Sequence, residues 1–443
     1  MRNVLVIAYY FPPLGLSGVQ RTLKFVKYLP HYGWKPTVLT VDDRGYFAKD
    51  GSLIDDLEGL DIDVIRTPSL DPLHFLRKRD VVRMPSSPAY SVLSTISQAL
   101  FIPDNKIGWK RRAVAAAKKV MQEKTFDIIY ATAPPYTDFL IGAELKRQTG
   151  VPLVFDYRDA WLENPLHRYV TPFHRMLHRR MEVGALRYAD HVVTINRSIK
   201  EQTLLSAENI THNDVTIIPQ GFDSADFPAD APHKRERKMR ITYAGTFYIN
   251  RTPKYLFKAL RSLLDDDPSL AQHIELTLIG TAREGDRKLA RQMGLSDIVH
   301  FAGYLPHQAC VDALRASDVL WVMIGTGPGE AMMSTGKLYE YIGARRTILA
   351  TIPPGEAQRT LQHSGATFLA PPEDVAAITA QLRTLYAKFK SDSLPRPSEQ
   401  YVTQFDRRTL TGQLARVFAH AIRLGPHESL VTRATSPGAI HTD

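Results

Sequence analysis

The chain has 443 residues, room for roughly two to four domains of about 100–200 residues each. Its single cysteine, Cys310, excludes an internal disulfide and a four-cysteine zinc site. Apolar residues make up 44% and charged residues 23%, which excludes collagen-like, wholly disordered and coiled-coil chains, and the net charge of +10 points to anionic partners.

The apolar run at 4–11 is stopped by Pro12-Pro13 and is short for a signal peptide. No stretch reaches the ~20 apolar residues of a membrane span. The chain therefore reads as cytoplasmic, with a peripheral contact at the inner face of the membrane left open.

Short apolar runs alternate with amphipathic stretches. A buried strand is expected at 4–8, a helix at 22–29 and a strand at 36–41. Further strands are expected at 62–65, 128–131, 153–155, 191–195 and 215–218, with helices at 111–124, 136–147, 174–188 and 197–205. Residues 227–240, with two prolines and the run His233-Lys-Arg-Glu-Arg-Lys238, read as a linker. A second series follows, with strands at 241–245, 276–280, 299–302, 319–324, 347–351 and 367–369. Its helices fall at 253–264, 286–293, 307–316, 335–342 and 356–363, then 372–390 and 406–424. Near-continuous apolar strands between helices predict an α/β chain with two doubly wound parallel sheets. Such domains bind ligands at the carboxyl ends of their strands.

Four segments carry chemistry at those ends. Tyr9-Tyr-Phe-Pro-Pro-Leu-Gly-Leu-Ser-Gly-Val-Gln-Arg21 sets Gly15 and Gly18 before a helix, where amides can approach an anion; it reads equally as a turn. Phe155-Asp-Tyr-Arg-Asp-Ala-Trp161 places two acids and Arg158 after a strand, for a site or for a loop salt bridge. In Tyr243-Ala-Gly-Thr-Phe-Tyr-Ile-Asn-Arg-Thr-Pro-Lys254, the strand runs into Gly245, and Arg251 and Lys254 stand at the next helix start. The helix dipole disfavours cations there, so the pair makes sense around a bound anion. In Ser334-Thr-Gly-Lys-Leu-Tyr-Glu-Tyr-Ile-Gly343, Ser334 or Thr335 can cap a helix, Lys337 sits in its first turn, and Lys337 and Glu340 share a face. The nearest histidine grouping, His167, His174 and His178, reads as surface basic residues rather than metal ligands.

These segments resemble glycosyltransferase family 4. The loop from Phe11 to Arg21 resembles its N-terminal loop. Asp156-Tyr-Arg-Asp159, Ile218-Pro-Gln-Gly-Phe-Asp223 and Tyr243-Ala-Gly-Thr246 resemble later blocks. Phe301-Ala-Gly-Tyr304 with Ala316-Ser-Asp318 resembles the segment passing the nucleotide base, and Lys337 to Gly343 the nucleotide-sugar helix. The resemblance implies the GT-B fold: two Rossmann-like domains facing across a cleft, with a last helix crossing back to the first domain. The domains implied are 1–226 for the acceptor, 239–404 for the nucleotide sugar, 405–424 for the crossing helix and 425–443 for a disordered tail.

The implied activity moves a sugar from a nucleotide-diphosphate donor (a UDP- or GDP-sugar) to a glycan or lipid-linked acceptor. It retains anomeric configuration and needs no metal or other cofactor. Arg251 and Lys254 would neutralise the diphosphate and Glu340 would bind the ribose. Gly15, Gly18, Gly245, Ser334, Thr335, Gly336 and Lys337 would complete the donor site. Asp159, with Arg158 and Tyr136, would face the acceptor or the transferred sugar. The sequence departs from the family pattern twice. Met332 stands where an acid is usual, with Glu330 displaced by two positions, and Ala133-Pro-Pro-Tyr136 holds no histidine. A catalytically degenerate nucleotide-sugar sensor or partner, or a GT-B sugar-nucleotide epimerase, are the alternatives.

Residues 74–124 hold eleven lysines and arginines against three acids, interleaved with apolar residues including Trp109. That mixture suits an anionic membrane surface, or simply a solvated basic domain. No nucleic-acid-binding module is visible.

Overall fold

The computed structural model describes residues 1–15, 17–43, 51–70, 97–98, 100–164, 169–207, 210–227, 238–247 and 251–424. It comprises two compact units. The first takes residues 1–219 and the chain from Arg407; the second is Gln220–Asp406.

The first unit is built on seven strands: β1 (Arg2–Ile7), β2 (Trp34–Val41), β3 (Asp63–Thr67), β4 (Ile128–Ala133), β5 (Leu153–Tyr157), β6 (His191–Thr194) and β7 (Val215–Ile217). All pair in parallel, in the order β3-β2-β1-β4-β5-β6-β7. Strands β4 and β5 are buried at every residue, which is why their first residues read as apolar runs, and both extend beyond the expected ends through the buried Thr132 and Asp156. The strand order reverses between β1 and β4, the place where this topology opens a crevice for ligands.

Local chemistry sets the helices. Asn196 Oδ1 accepts the Ile199 N–H at 2.9 Å and starts the helix Arg197–Ser206. Thr171 caps Pro172–Leu186, with Pro172 in the first turn. Gly150, at φ 74°, closes Thr137–Thr149 as a left-handed C-cap. The helix Ser17–Tyr28 begins ahead of the expected start at 22, because Ser17 to Arg21 carry little apolar periodicity.

The helix Arg407–Leu424 belongs to the first unit, as the crossing helix of the resemblance implies. Phe418 meets Trp34 and Tyr130 edge-on, with ring centres 5.2 Å and 5.6 Å away. Tyr32 donates to the Arg408 carbonyl at 2.7 Å, and Gly412 makes room for the Tyr32 ring.

The second unit carries β8 (Met239–Ala244), β9 (Ile274–Ile279), β10 (Val299–Gly303), β11 (Val319–Met323), β12 (Thr347–Thr351) and β13 (Thr367–Ala370). They form a parallel sheet in the order β10-β9-β8-β11-β12-β13, with its switch point between β8 and β11. Buried apolar clusters cover both faces.

Residues 220–227 lie with the second unit, whereas the sequence reading leaves 220–226 in the first. The Phe222 N–H donates to the Phe405 carbonyl at 3.1 Å, and its ring stands edge-on to Phe227. Most of the expected linker and the whole tail from 425 lie outside the described residues. No helix among the described residues is long and apolar enough to cross a membrane.

Candidate functional site

In the second unit the site grows from the end of β8. Gly245 has φ 148°, a backbone conformation that favours glycine, and a Cβ there would collide with Lys337 Nζ. The Lys337 ammonium therefore rests on bare backbone. It donates to the Tyr243 hydroxyl at 3.0 Å and lies 4.4 Å from the centre of that ring. Burial pushes Lys337 down to about 7; the positive charge of Arg251 acts in the same direction and Glu340 opposes it. Phe247 stacks on Tyr243 with ring centres 4.5 Å apart and holds the ring in place.

Lys337 lies in the first turn of the helix Gly336–Gly343. Tyr341 fixes this helix against the sheet by accepting the Ala244 N–H at 2.7 Å. The expected cap does not form. Thr335 occupies the N-cap position, but its buried hydroxyl has no hydrogen-bond partner, while the Ser334 hydroxyl is 2.6 Å from that of Tyr339.

Arg251 is 5% exposed. Its Nη2 reaches Glu330 Oε2 at 3.3 Å and Met333 Sδ at 3.1 Å. Glu330, the acid displaced from the usual position, thus lies beside the cation expected to meet diphosphate. Lys254 is separated from this group. It is exposed at the first position of the helix Lys254–Asp266, with its ammonium over the Tyr255 ring. Around Lys337 the structure brings the Gly245 backbone and the charges of Arg251 and Glu340; Lys254, exposed and over its own neighbour Tyr255, is not among them.

In the first unit, Arg158 ties the first turn of the helix Ser17–Tyr28 to the segment after β4, at the switch point. It is 7% exposed and donates to the carbonyls of Gly18 and Pro134. A Cβ at Gly18 would stand 2.7 Å from the Arg158 guanidinium, so the glycine admits the arginine. Gly15, just before that helix, is also buried. Burial pushes the Asp159 carboxyl up to about 6, with Arg158 opposing. Tyr136 is packed rather than open: its hydroxyl donates to the Ala160 carbonyl at 2.7 Å and its ring stacks on Trp161.

One arrangement escapes sequence reading altogether. Arg21 and Asp156, both fully buried, form an ion pair at 2.8 Å. Asp156 also accepts from the hydroxyls of Tyr130 and Thr132, and Arg21 donates to the carbonyls of Ile218 and Pro219. Burial alone would raise the Asp156 carboxyl, but Arg21 holds it below the usual range. The salt bridge foreseen within 156–159 is made with Arg21 instead.

Two other readings change. His178 is buried, not a surface base, and its Nδ1 accepts the Trp161 indole N–H at 3.1 Å. His174 sits beside the Thr171 hydroxyl, and His167 lies outside the described residues. In the basic stretch, Trp109 is fully buried and donates to Thr67, and Lys106 is buried over the Tyr9 ring. Neither faces a surface, and residues 74–96 lie outside the described residues. Among the described residues no group of three or more His, Cys, Asp or Glu could hold a metal ion.

The chain matches the model of a glycosyl transferase 4-like domain over residues 18–221 and that of glycosyl transferases group 1 over 238–388. It is similar to D-inositol 3-phosphate glycosyltransferases of Streptomyces griseus (31% identity over 120 residues, 23% of this chain) and Streptomyces scabiei (25% over 154 residues, 31% of this chain). These matches span only 25% and 34% of the relatives' lengths. Among solved structures it resembles a sucrose-phosphate synthase from Thermosynechococcus elongatus, with TM-score 0.61, 16% identity, and 96% and 100% of the two chains covered. It also resembles a trehalose-6-phosphate protein from E. coli bound with UDP-2-fluoro glucose, with TM-score 0.60, 14% identity, and 94% and 98% covered. At such identities the two structures speak for the fold alone.

Proposed function

The chain belongs to the GT-B glycosyltransferases of the family-4 type, and from that premise we propose that it transfers a sugar from a nucleotide-diphosphate donor, a UDP- or GDP-sugar, to a glycan or lipid-linked acceptor. The second unit holds the donor and the first holds the acceptor. The observation that carries this reading is the pairing of Arg251 with Lys337 at the carboxyl end of β8. Their repulsion in one low-dielectric place is offset only in part by Glu330 beside Arg251 and Glu340 beside Lys337, and an anionic ligand relieves the rest.

In the reaction, an acceptor hydroxyl oxygen forms a bond to the anomeric carbon. The bond from that carbon to the diphosphate breaks, and its electron pair leaves on the diphosphate oxygen. Arg251 and Lys337 stabilise that developing charge from fixed positions, the role a divalent ion has in other sites. Glu340, one turn along from Lys337, accepts hydrogen bonds from the ribose hydroxyls. Asp159, close to neutrality, is suited to an acceptor hydroxyl or its proton. Retention of configuration, independence of metal and a membrane-associated acceptor complete the reading.

The test is turnover. Release of nucleoside diphosphate from a panel of sugar nucleotides is followed in the presence of chelator, with Arg251→Ala as control. The proposal expects one sugar nucleotide to be consumed by the wild type and not by the variant. Binding without any turnover, with acceptor or by hydrolysis, would instead favour a sensor, a role to which Met332 lends weight.

A further inference from the structure

The helix Pro172–Leu186 buries His178, Glu182, Ala185 and Leu186 against the first unit. Its outer side is unusual for a solvated helix. Phe173 is 61% exposed and Met176 48%, and Val170 just before the helix is also exposed. Leu205, on the helix Arg197–Ser206, is 75% exposed. Met176 and Leu205 line one cavity of about 400 Å³ together with Leu162 and Pro172, so these side chains share one surface. Phe173, Met176 and Arg180 follow one another at helical spacing along a single stripe.

The charge on this face is mostly positive, and the exposed acid Glu201, one turn before Leu205, is paired with Arg197. Arg175, Arg179, Arg180 and Arg187 are exposed, and the only acid of the helix, Glu182, faces inward. The neighbouring acid Glu163 is paired with Arg175. Exposed large apolar side chains among arginines are the composition of a surface that lies on anionic lipid. A symmetric contact with a second copy would set this arginine group against itself.

We infer that this face, the helix Pro172–Leu186 with Leu205 beside it, docks on an anionic lipid bilayer. Phe173, Met176 and Leu205 enter the headgroup layer, and Arg175, Arg179 and Arg180 meet lipid phosphates. The inference rests on the membrane-associated reading above and assigns that contact to a surface other than residues 74–124.

The experiment is co-sedimentation of the full chain with phosphatidylcholine vesicles, with and without about a third phosphatidylglycerol. Two variants accompany the wild type: Phe173→Ser with Met176→Ser, and Arg175→Gln with Arg179→Gln and Arg180→Gln. The wild type should pellet with the anionic vesicles only, and less so as salt rises. Each variant should lose at least about tenfold in partitioning while keeping its thermal midpoint and nucleoside-diphosphate binding. Equal pelleting of wild type and variants would overturn this surface and leave the membrane reading standing. Failure of the wild type to pellet at all would overturn both, with nucleotide binding still testing the transferase reading. Self-association without lipid that both variants abolish would make the face an interface between copies, and would overturn the inference too.

Discussion

The Lys337 ammonium lies 3.0 Å from the Tyr243 hydroxyl, seated on the bare backbone of Gly245. Burial and Arg251 hold it near the neutral form, down to about 7. A bound diphosphate supplies the opposite charge and raises it again. At about pH 8 the free protein carries Lys337 mostly deprotonated and the complex carries it protonated, so binding takes up a proton. Calorimetry in two buffers of different ionisation enthalpy should show that uptake, and Lys337→Met should lack it. Affinity in the wild type should fall as pH rises above about 7.

Gly245→Ala should remove donor use. The new methyl group occupies the place of the Lys337 ammonium, and φ of 148° is strained for alanine. The backbone strain alone costs about 1–3 kcal/mol. Nucleoside-diphosphate titration and chemical denaturation measure the two effects separately, and both should be present.

The Arg21–Asp156 pair should matter for folding rather than for chemistry. Breaking a fully buried pair from one side leaves a charge without compensation, at a cost of about 3–5 kcal/mol. Arg21→Met should lower stability by that order in urea denaturation. Arg21→Met combined with Asp156→Asn should recover part of the loss, because the stranded carboxylate is gone.

Glu182 makes a pH-dependent contribution. Burial raises its carboxyl from 4.5 to about 7, so the folded chain holds a proton that the unfolded chain has released. Stability from this group therefore falls as pH rises from about 4.5 to about 7, by about 3 kcal/mol in all. Glu182→Gln removes the dependence. The stability difference between variant and wild type should widen in favour of the variant across that window. His191, lowered by burial to about 4, acts in the opposite direction, which is why the difference and not the wild-type curve is the measurement.

The alternation of strands and helices was legible because both sheets are parallel and covered on both faces, which leaves apolar runs such as Ile128–Ala131 in the sequence. The glycines at 18 and 245 were legible as places of close approach. What approaches them was not: Arg158 lies 140 positions from Gly18, and Tyr243 lies 94 from Lys337. The Arg21–Asp156 pair, 135 positions apart, was hidden for the same reason. A basic residue reads as surface unless its partner is known, which is how His178 and Lys106 came to be placed outside.

On the proposed reading, the carboxyl end of β8 holds a nucleoside diphosphate on Arg251 and Lys337. The most direct measurement is a thermal-shift panel with UDP, GDP, dTDP and ADP in the presence of chelator, on wild type and Arg251→Ala. A ligand at a hundred times its dissociation constant adds about 2.7 kcal/mol to the folded state. The account predicts that one diphosphate raises the wild-type midpoint and leaves that of the folded variant unchanged. No shift with any diphosphate at millimolar concentration, or an equal shift in the variant, would contradict it.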